Sequence, residues 1–324
     1  MKPQVLITRS LPDAALEVVR QTCEVHYDPR DRHLDPAALQ QAVVGKAGMI
    51  CLVTDRIDAQ VLEAGQALKV VSNVAVGYDN IDVVAATRRS IVVTNTPGVV
   101  TEATADLTWA LMLAIARRIA EGDRYIRAGR WQEWRLMVML GGDVYGQTLG
   151  IIGMGRIGQA VARRARGFDM RVLYHNRQRL PAAVEADLRA TWVERETLLR
   201  QADFVSLHVP LTAATRHLIN AAALRMMRPT AYLLNTTRGA VVDEAALIQA
   251  LQEGWIAGAG LDVFEDEPHV PEALQALENV VLVPHIGSAS VATRTRMAVI
   301  AADNLVAALR GQRPPHVVNP EVYR

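Results

Sequence analysis

The feature that most constrains this chain is a glycine-rich turn between an apolar strand-like segment and a helical run. Gly153, Gly155 and Gly158 follow the strand-like segment 147–152 at the spacing Gly-x-Gly-x-x-Gly, and a second apolar segment comes at 170–174. The first glycine permits a tight turn, the second lets the backbone approach phosphate groups, and the third lets the helix pack closely on the strand. The N–H groups at the start of the helix then face the anion. The sequence therefore predicts a pyrophosphate-binding turn at Gly153, Gly155, Arg156, Ile157 and Gly158.

Short apolar segments alternate with helical patterns along the first 94 residues, before this motif is reached. Strands separated by single helices imply crossover connections, and hence a parallel sheet with helices on both faces. The same alternation follows the motif, so we expect two doubly wound parallel-sheet α/β domains. Residues 1–99 and 287–324 are predicted to form a discontinuous substrate domain, and residues 100–286 a dinucleotide-binding domain. The cleft between the domains is the expected active site.

Size, charge and cysteine usage exclude several classes of protein. A chain of 324 residues with a formal net charge of +1 has no polycationic character, so we expect no nucleic-acid partner. The longest apolar run, near residues 109–116, is too short to span a bilayer, and the N-terminus has no secretory apolar segment. Cys23 and Cys51 offer no disulfide framework, and no histidine spacing indicates a metal site. We therefore expect a cytoplasmic protein without a metal or a membrane partner.

Three polar residues follow predicted strands in the second half of the chain. Arg238 follows the apolar run 231–235, Glu267 follows 257–262, and His285 follows 280–284. A guanidinium binds a carboxylate with two-pronged geometry, and an imidazole exchanges a proton near neutral pH. A carboxylate beside the imidazole fixes its tautomer and favours the protonated ring. Together with a nicotinamide, these groups would suit hydride transfer on a 2-keto or 2-hydroxy acid.

These motifs resemble those of the D-isomer-specific 2-hydroxyacid dehydrogenases over essentially the whole chain. The resemblance is carried by residues 153–158, 205–212, 235–243, 260–268 and 284–288. It implies a flavodoxin-like substrate domain, a Rossmann dinucleotide-binding domain and a homodimer built around the nucleotide domains. It also implies that Arg238 binds the substrate carboxylate and that Glu267 pairs with His285. His285 would then be the general acid in reduction and the general base in oxidation.

Within this family the chain is most similar to the glyoxylate/hydroxypyruvate reductases, at residues 52–57, 73–80 and 101–106. This similarity implies reduction of a small 2-keto acid to the D-2-hydroxy acid. It also implies that backbone N–H groups at Val76 and Gly77 bind the substrate carboxylate, and that Ser288 touches the substrate. Trp134 would close the partner subunit's pocket, and an ordinary loop or interface aromatic is an equally good interpretation of that residue.

The residues after the second strand of the nucleotide unit bear on the choice of nicotinamide. A carboxylate that binds the ribose is expected about 20 residues after the glycine motif, but no carboxylate occupies that strand end. The residues found there offer hydrogen bonds and positive charge that suit a 2′-phosphate: His175, Asn176, Arg177 and Arg179. We therefore expect NADPH, with NADH as the weaker cofactor; a solvated arginine loop would instead give dual specificity.

Further cofactor contacts are implied by the resemblance alone. They are Thr104, Val209, Pro210, Thr236 and Asp262. His208, at another strand end, is interpreted as a wall of the cofactor site.

Three alternatives remain open from the sequence. A broader 2-ketoacid reductase or a gluconate 2-dehydrogenase would use the same residues with a different pocket. Phosphite dehydrogenases of this type carry a lysine in the loop that reads Val-Ala-Val-Gly at 74–77, which argues against that activity. A dinucleotide-sensing binding protein could retain all three catalytic side chains, and only turnover of a keto acid would separate it from an enzyme.

Overall fold

The computed structural model describes residues 2–324, and the chain divides into two compact units. The first unit comprises the residues up to Val100 together with Ala289–Arg324, and the second is Thr101–Ser288. No helix among residues 2–324 is both long enough and apolar enough to cross a membrane.

The first unit begins with five short strands that alternate with four helices. These elements are β1 (Gln4–Ile7), α1 (Asp13–Thr22), β2 (Glu24–His26), α2 (Pro36–Ala42), β3 (Gly48–Cys51), α3 (Ala59–Ala64), β4 (Val70–Asn73), α4 (Val83–Arg88) and β5 (Val92–Thr94).

The second unit contains seven strands and eight helices. They are α5 (Thr101–Ala116), α6 (Ile119–Arg127), β6 (Thr148–Ile152), α7 (Arg156–Ala165), β7 (Arg171–His175), α8 (Ala182–Leu188), β8 (Ala190–Trp192), α9 (Arg195–Gln201), β9 (Phe204–Leu207), α10 (Ala221–Met226), β10 (Tyr232–Asn235), α11 (Glu244–Gln252), β11 (Gly258–Leu261), α12 (Glu272–Gln275) and β12 (Val280–Leu282). The chain then returns to the first unit with the long helix α13 (Val291–Leu309).

The sheet of the first unit is parallel throughout, in the order β2-β1-β3-β4-β5. Both of its faces are apolar, because successive side chains of a strand point to opposite faces and helices cover each one. Val5 and Ile7 lie in a core with α1 and α13, whereas Leu6 lies in a second core with α2 and α3. The strand order is that of flavodoxin-like folds.

The sheet of the second unit is also parallel throughout, in the order β12-β11-β10-β9-β6-β7-β8. From β8 to β12 this is the Rossmann order 3-2-1-4-5-6 with one further strand. The order reverses between β6 and β9, which is where such sheets bind ligands, beyond the carboxyl ends of the strands. Two parallel doubly wound sheets confirm the predicted fold class.

Helix caps show how local sequence sets the element boundaries. Six helices begin after a residue whose side chain accepts a hydrogen bond from a backbone N–H in the first turn: Asp35, Asp58, Asp82, Asn220, Asp243 and Ser290. Helix α7 differs, because its N-cap is Gly155, which has no side chain to cap with. The first N–H groups of α7 are therefore left for another acceptor.

The structure departs from the sequence pattern in two places. Thr101 as a candidate N-cap, followed by a long apolar segment, predicts one helix through Arg118, but α5 ends at Ala116 and Arg118 has a left-handed backbone with φ 53°. A separate helix, α6, then follows. The edge strand β8 has only three residues and gives no recognisable alternation in the sequence.

Candidate active site

Arg238, Glu267 and His285 lie in loops that follow three neighbouring strands. Arg238 follows β10, Glu267 follows β11, and His285 follows β12. These strands are adjacent in the parallel sheet, so their carboxyl ends lie along one edge. The three loops are therefore neighbours at the edge where α/β folds bind ligands.

His285 and Glu267 form a short hydrogen bond. Nδ1 of His285 lies 2.7 Å from Oε2 of Glu267, and both side chains are partly exposed. The other carboxylate oxygen of Glu267 accepts a hydrogen bond of 3.0 Å from the backbone N–H of Phe264. This second bond fixes the carboxylate in its orientation toward the imidazole.

The electrostatics of Glu267 favour its ionised form. Burial raises the pKa of Glu267, but the hydrogen bond and positive charge of His285, the Phe264 amide and the charge of Arg238 together hold it below its ordinary value. An ionised carboxylate only accepts hydrogen bonds, so Nδ1 of His285 carries the proton that it shares with Glu267. The Nε2 atom is the ring nitrogen left to exchange a proton with a substrate.

Asp262 fixes the turn that carries His285. Its buried carboxylate accepts hydrogen bonds from the backbone N–H groups of Ile286, at 2.5 Å, and Gly287, at 2.8 Å. Its carbonyl oxygen accepts the N–H of His285, whose backbone is left-handed with φ 50°. Burial raises the pKa of Asp262, against the two amide hydrogen bonds and the charge of His285. The structure thus gives Asp262 a positioning contact that the sequence did not indicate.

A glycine brings the Arg238 loop against the Glu267 loop. A Cβ on Gly239 would lie 1.9 Å from the carbonyl carbon of Phe264 and 2.3 Å from the backbone nitrogen of Glu265. Nη1 of Arg238 donates to the carbonyl of Thr237 at 2.9 Å, and the Arg238 carbonyl accepts from Nδ2 of Asn235 at 2.9 Å. The close approach at Gly239 explains why only glycine suits that position.

The three glycines of the turn have different surroundings, as the spacing predicts. Gly153 has φ +100°, and a Cβ there would lie 2.5 Å from the His208 carbonyl oxygen. A Cβ on Gly158 would lie 2.3 Å from the carbonyl oxygen of Gly153, so α7 packs tightly on the turn. Gly155 faces open space, with no atom within 4 Å of an added Cβ. Open space beside an uncapped helix start fits a phosphate group of a dinucleotide.

The end of β7 is tied to this turn. Oδ1 of Asn176 accepts the backbone N–H of Met154 at 2.7 Å, and the carbonyl of His175 accepts that of Gly153 at 3.0 Å. Nδ1 of His175 lies 3.0 Å from the carbonyl oxygen of Val193. Asn176 and His175 therefore both contact the backbone of the glycine-rich turn directly.

The two arginines predicted near the ribose differ in their contacts. Arg179 forms a two-pronged ion pair with Glu185, both hydrogen bonds being 2.8 Å. The Arg179 guanidinium and the Tyr174 hydroxyl lower the pKa of Glu185 to about 2. Arg177 is exposed and makes no hydrogen bond or ion pair with any other residue in the described range 2–324. Arg177 is thus the arginine whose charge is available to a ligand.

The remaining predicted positions in the second unit lie on different elements. The Thr104 hydroxyl donates to the Gly287 carbonyl at 3.3 Å, and Thr108 joins Thr104 to Thr236 through its own hydroxyl. Ser288 and Val209 are half-buried, and Pro210 is exposed. Trp134 is 75% exposed in the single chain and lies in the segment after α6.

In the first unit, Val76 and Gly77 lie in the turn that follows β4. Their carbonyl groups accept hydrogen bonds from the side chains of Asn95, at 2.7 Å, and Asn73, at 2.9 Å. Sequence reasoning missed both asparagines, and it also missed Glu185 and Gly239 in the second unit. Asn73 and Gly239 lie inside the motifs 73–80 and 235–243, but neither motif shows what these two residues contact, and no local pattern marks Asn95 or Glu185.

Comparisons with known proteins identify the family of the chain. The family model described as D-isomer specific 2-hydroxyacid dehydrogenase, NAD binding domain, matches residues 109–287. The glyoxylate reductase of Korarchaeum cryptofilum is 53% identical over 326 residues, which cover 100% of this chain and 98% of that protein. The glyoxylate reductase of Thermococcus gammatolerans is 51% identical over 328 residues, again covering 100% and 98%.

Solved structures show the same likeness. A crystal structure of a protein from Thermus thermophilus is 50% identical, with a TM-score of 0.90 and coverage of 97% of this chain and 99% of that one. The NADPH-dependent glyoxylate/hydroxypyruvate reductase of Sinorhizobium meliloti, solved with NADP and malonate, is 36% identical, with a TM-score of 0.88 and coverage of 99% and 98%. The residues of the site, the fold and these matches together show that the chain belongs to the D-isomer specific 2-hydroxyacid dehydrogenases.

Proposed function

We propose that this protein reduces a small 2-keto acid of the glyoxylate type to the corresponding D-2-hydroxy acid. The observation that carries the proposal is the 2.7 Å hydrogen bond between His285 and Glu267, which leaves the other imidazole nitrogen for proton exchange. The relatives named glyoxylate reductase support the substrate class, since they are 51% and 53% identical to the chain over its full length. Hydroxypyruvate, named for the Sinorhizobium meliloti protein, is the second substrate that we propose.

The catalytic roles follow from the groups present. His285, protonated at Nε2, donates that proton to the oxygen of the keto group. Its Nδ1–H remains hydrogen-bonded to the Glu267 carboxylate throughout. The Glu267 carboxylate stabilises the charged imidazole before the transfer, and it holds the ring in place afterwards. Arg238 binds the substrate carboxylate, and the backbone N–H groups of Val76 and Gly77 bind the same group. In the oxidative direction His285 accepts the proton instead.

We further propose that a nicotinamide dinucleotide, which supplies the hydride, is held by the second unit as its dinucleotide-binding domain. Gly153, Gly155 and Gly158, with the N–H groups that open α7, fit its pyrophosphate because the space beside Gly155 is open. His175, Asn176 and Arg177 would bind the adenosine ribose. Thr104, Val209, Pro210, Thr236 and Asp262 are proposed to line the rest of this site.

NADPH is the proposed preferred cofactor, with NADH weaker. The end of β7 carries no carboxylate that would repel a 2′-phosphate, and Arg177 offers an unpaired positive charge there. The Sinorhizobium meliloti protein, which was solved with NADP, supports this preference. Arg179 would contribute less, because its charge is already paired with Glu185.

Initial-rate reduction of glyoxylate and of hydroxypyruvate, each with NADPH and with NADH, tests the function directly. Rapid oxidation of NADPH by either acid, and slower oxidation of NADH, is the expected result. Reduction of larger keto acids alone would move the activity to a broader 2-ketoacid reductase. Tight binding of the dinucleotide without turnover of any keto acid would contradict the enzyme proposal and favour a dinucleotide sensor.

A further inference from the structure

The turn after β4 has an unusual division of its backbone hydrogen bonds. Each of its four carbonyl groups, from Ala75 to Tyr78, accepts a hydrogen bond. Ala75 accepts from the backbone N–H of Thr96 at 2.9 Å, and Tyr78 accepts from that of Ile81 at 3.0 Å. The two central carbonyls, of Val76 and Gly77, accept from asparagine side chains at 2.7 and 2.9 Å.

The N–H groups of the same turn are in the opposite situation. Within the described part of the chain, residues 2–324, none of the N–H groups from Ala75 to Tyr78 has a hydrogen-bond partner. A backbone whose carbonyls are all engaged, and whose amides are all available, presents several donors to an anion.

The asparagines decide which way these amides point. In a trans peptide the C=O of one residue and the N–H of the next lie in one plane and point in opposite directions. Fixing the Val76 carbonyl on Asn95 therefore aims the N–H of Gly77 away from Asn95. In the same way, fixing the Gly77 carbonyl on Asn73 aims the N–H of Tyr78 away from Asn73.

We propose that Asn95 and Asn73 are positioning residues that hold the N–H groups of this turn toward the carboxylate of the keto acid. The inference rests on the proposed function, in which the N–H groups of Val76 and Gly77 bind that carboxylate, and it adds the N–H of Tyr78, the amide that the Asn73 contact orients. It goes further by naming the side chains that set the geometry, neither of which would touch the substrate.

Both asparagines are themselves held in place. Asn73 is fully buried at the end of β4, and its Nδ2 also contacts Oδ1 of Asn80 at 3.1 Å. Asn80 in turn donates to the carbonyls of Leu52 and Asp55, both at 3.0 Å. The carbonyl of Asn95 accepts from Nδ2 of the buried Asn304 at 3.2 Å. The turn is therefore pre-organised, so little ordering is left to occur when an anion binds.

The chain offers a matched control in Asn319. This asparagine is also fully buried in the first unit, and its side chain makes three hydrogen bonds, to Val93, Thr87 and Ile91. It has no contact with the turn. Asn319→Ala thus removes at least as many side-chain hydrogen bonds as either test variant, without releasing a carbonyl of residues 75–78.

The first experiment compares Asn95→Ala, Asn73→Ala and Asn319→Ala with the wild type. We expect the KM for glyoxylate and the inhibition constant of oxamate to rise about tenfold in the Asn95 and Asn73 variants, since each loses an aligned donor to a charged group. The kcat at saturating glyoxylate and the Kd for NADPH should stay within about twofold. Asn319→Ala should lower the melting temperature only. Unchanged constants in Asn95→Ala, or an equal rise in Asn319→Ala, would overturn the proposal.

A second experiment needs no variant and no turnover. Hydrogen exchange of the wild-type protein is measured by mass spectrometry with NADPH alone and with NADPH plus oxamate. We expect the amides of residues 75–78 to exchange rapidly without oxamate and to be protected by it, because the anion occupies them. No added protection would reject the inference even if glyoxylate is reduced. Protection by oxamate without reduction of any keto acid would instead reject the proposed function and leave the binding turn standing.

Discussion

Removing the imidazole of His285 should abolish proton transfer while leaving the dinucleotide site intact. We expect His285→Ala to lower kcat for glyoxylate about 10²- to 10⁴-fold, the range that general acid catalysis contributes. The Kd for NADPH, measured by fluorescence titration, should change little, because the glycine turn and β7 are untouched. His33→Ala, at an exposed position of the first unit, is the control. Turnover near the wild-type value in His285→Ala would contradict the assignment.

His208 links residue chemistry to the stability of the second unit. Its Nε2 lies 2.8 Å from the Ser206 hydroxyl, whereas its Nδ1 is buried without a partner in the described structure. Burial lowers the pKa of His208 from 6.5 to about 3. Between pH 6.5 and pH 3, His208 binds a proton in the unfolded chain but not in the folded chain. The contribution of His208 to the free energy of unfolding is therefore complete above about pH 6.5, and it is lost as the pH falls toward 3.

The lowered pKa of His208 predicts that the free energy of unfolding depends differently on pH in the wild type and in His208→Gln. The free energy of unfolding of the wild type should fall, relative to the variant, by up to about 1.4 kcal/mol for each pH unit below 6. Urea titrations at pH 7.5, 6 and 5 measure it, with His33→Gln as the matched exposed control. Parallel pH profiles for the wild type and His208→Gln would show that His208 is not held neutral.

At the residue scale, the sequence could indicate the groups that we propose for catalysis but not the groups that hold them. Arg238, Glu267 and His285 were predictable because polar residues within a few positions of the ends of apolar strands stand out. Asp262 was also visible at a strand end, yet its contacts with the backbone of Ile286 and Gly287 depend on how two loops pack. Such contacts are formed by the fold, and no spacing in the chain encodes them.

The loop after β7 is the element on which cofactor choice is proposed to depend. We expect Arg177→Ala to raise the KM for NADPH about tenfold while that for NADH changes little, because the lost charge would face the 2′-phosphate. Arg179→Ala is the matched variant, and its effect on NADPH should be smaller, since Glu185 already pairs with this guanidinium. Steady-state kinetics with both cofactors give the ratio of the KM for NADPH to the KM for NADH in each variant. Equal losses for NADPH and NADH in Arg177→Ala would reject the role of the 2′-phosphate.

At the element scale, patterns with strict backbone requirements were the most informative. The glycine motif was predictable in detail, because each glycine meets a steric limit that the structure shows at Gly153 and Gly158. Helix ends were less predictable: α5 ends at Ala116, just before the left-handed Arg118, although the sequence predicts one helix through Arg118. Short edge elements such as β8 depend on pairing with a neighbouring strand, and pairing is not a local property of the sequence.

For the whole molecule, the segment from α6 to residue 145 presents many exposed apolar side chains. They are Ile119, Ile126, Trp131, Trp134, Leu136, Met137, Val138, Leu140 and Tyr145. A monomer rarely exposes such a run of large apolar groups, and patches of this kind mark interaction sites. We propose that this segment forms the interface of a homodimer and that Trp134 reaches the partner subunit.

Two negative charges introduced into this segment by substitution should therefore separate the proposed dimer into single chains. The wild type is expected to have twice the chain mass of 35.4 kDa by light scattering, and Leu136→Glu with Met137→Glu is expected to have the single-chain mass. Both side chains are 73% exposed in the single chain, so the charges cost the isolated fold little. Val291→Glu, at an exposed position on α13, is the control and should stay dimeric. If Trp134 closes the partner's pocket, the monomeric variant should also show a raised KM for glyoxylate with unchanged affinity for NADPH. A double variant that keeps the wild-type mass would place the interface elsewhere and remove the argument for Trp134.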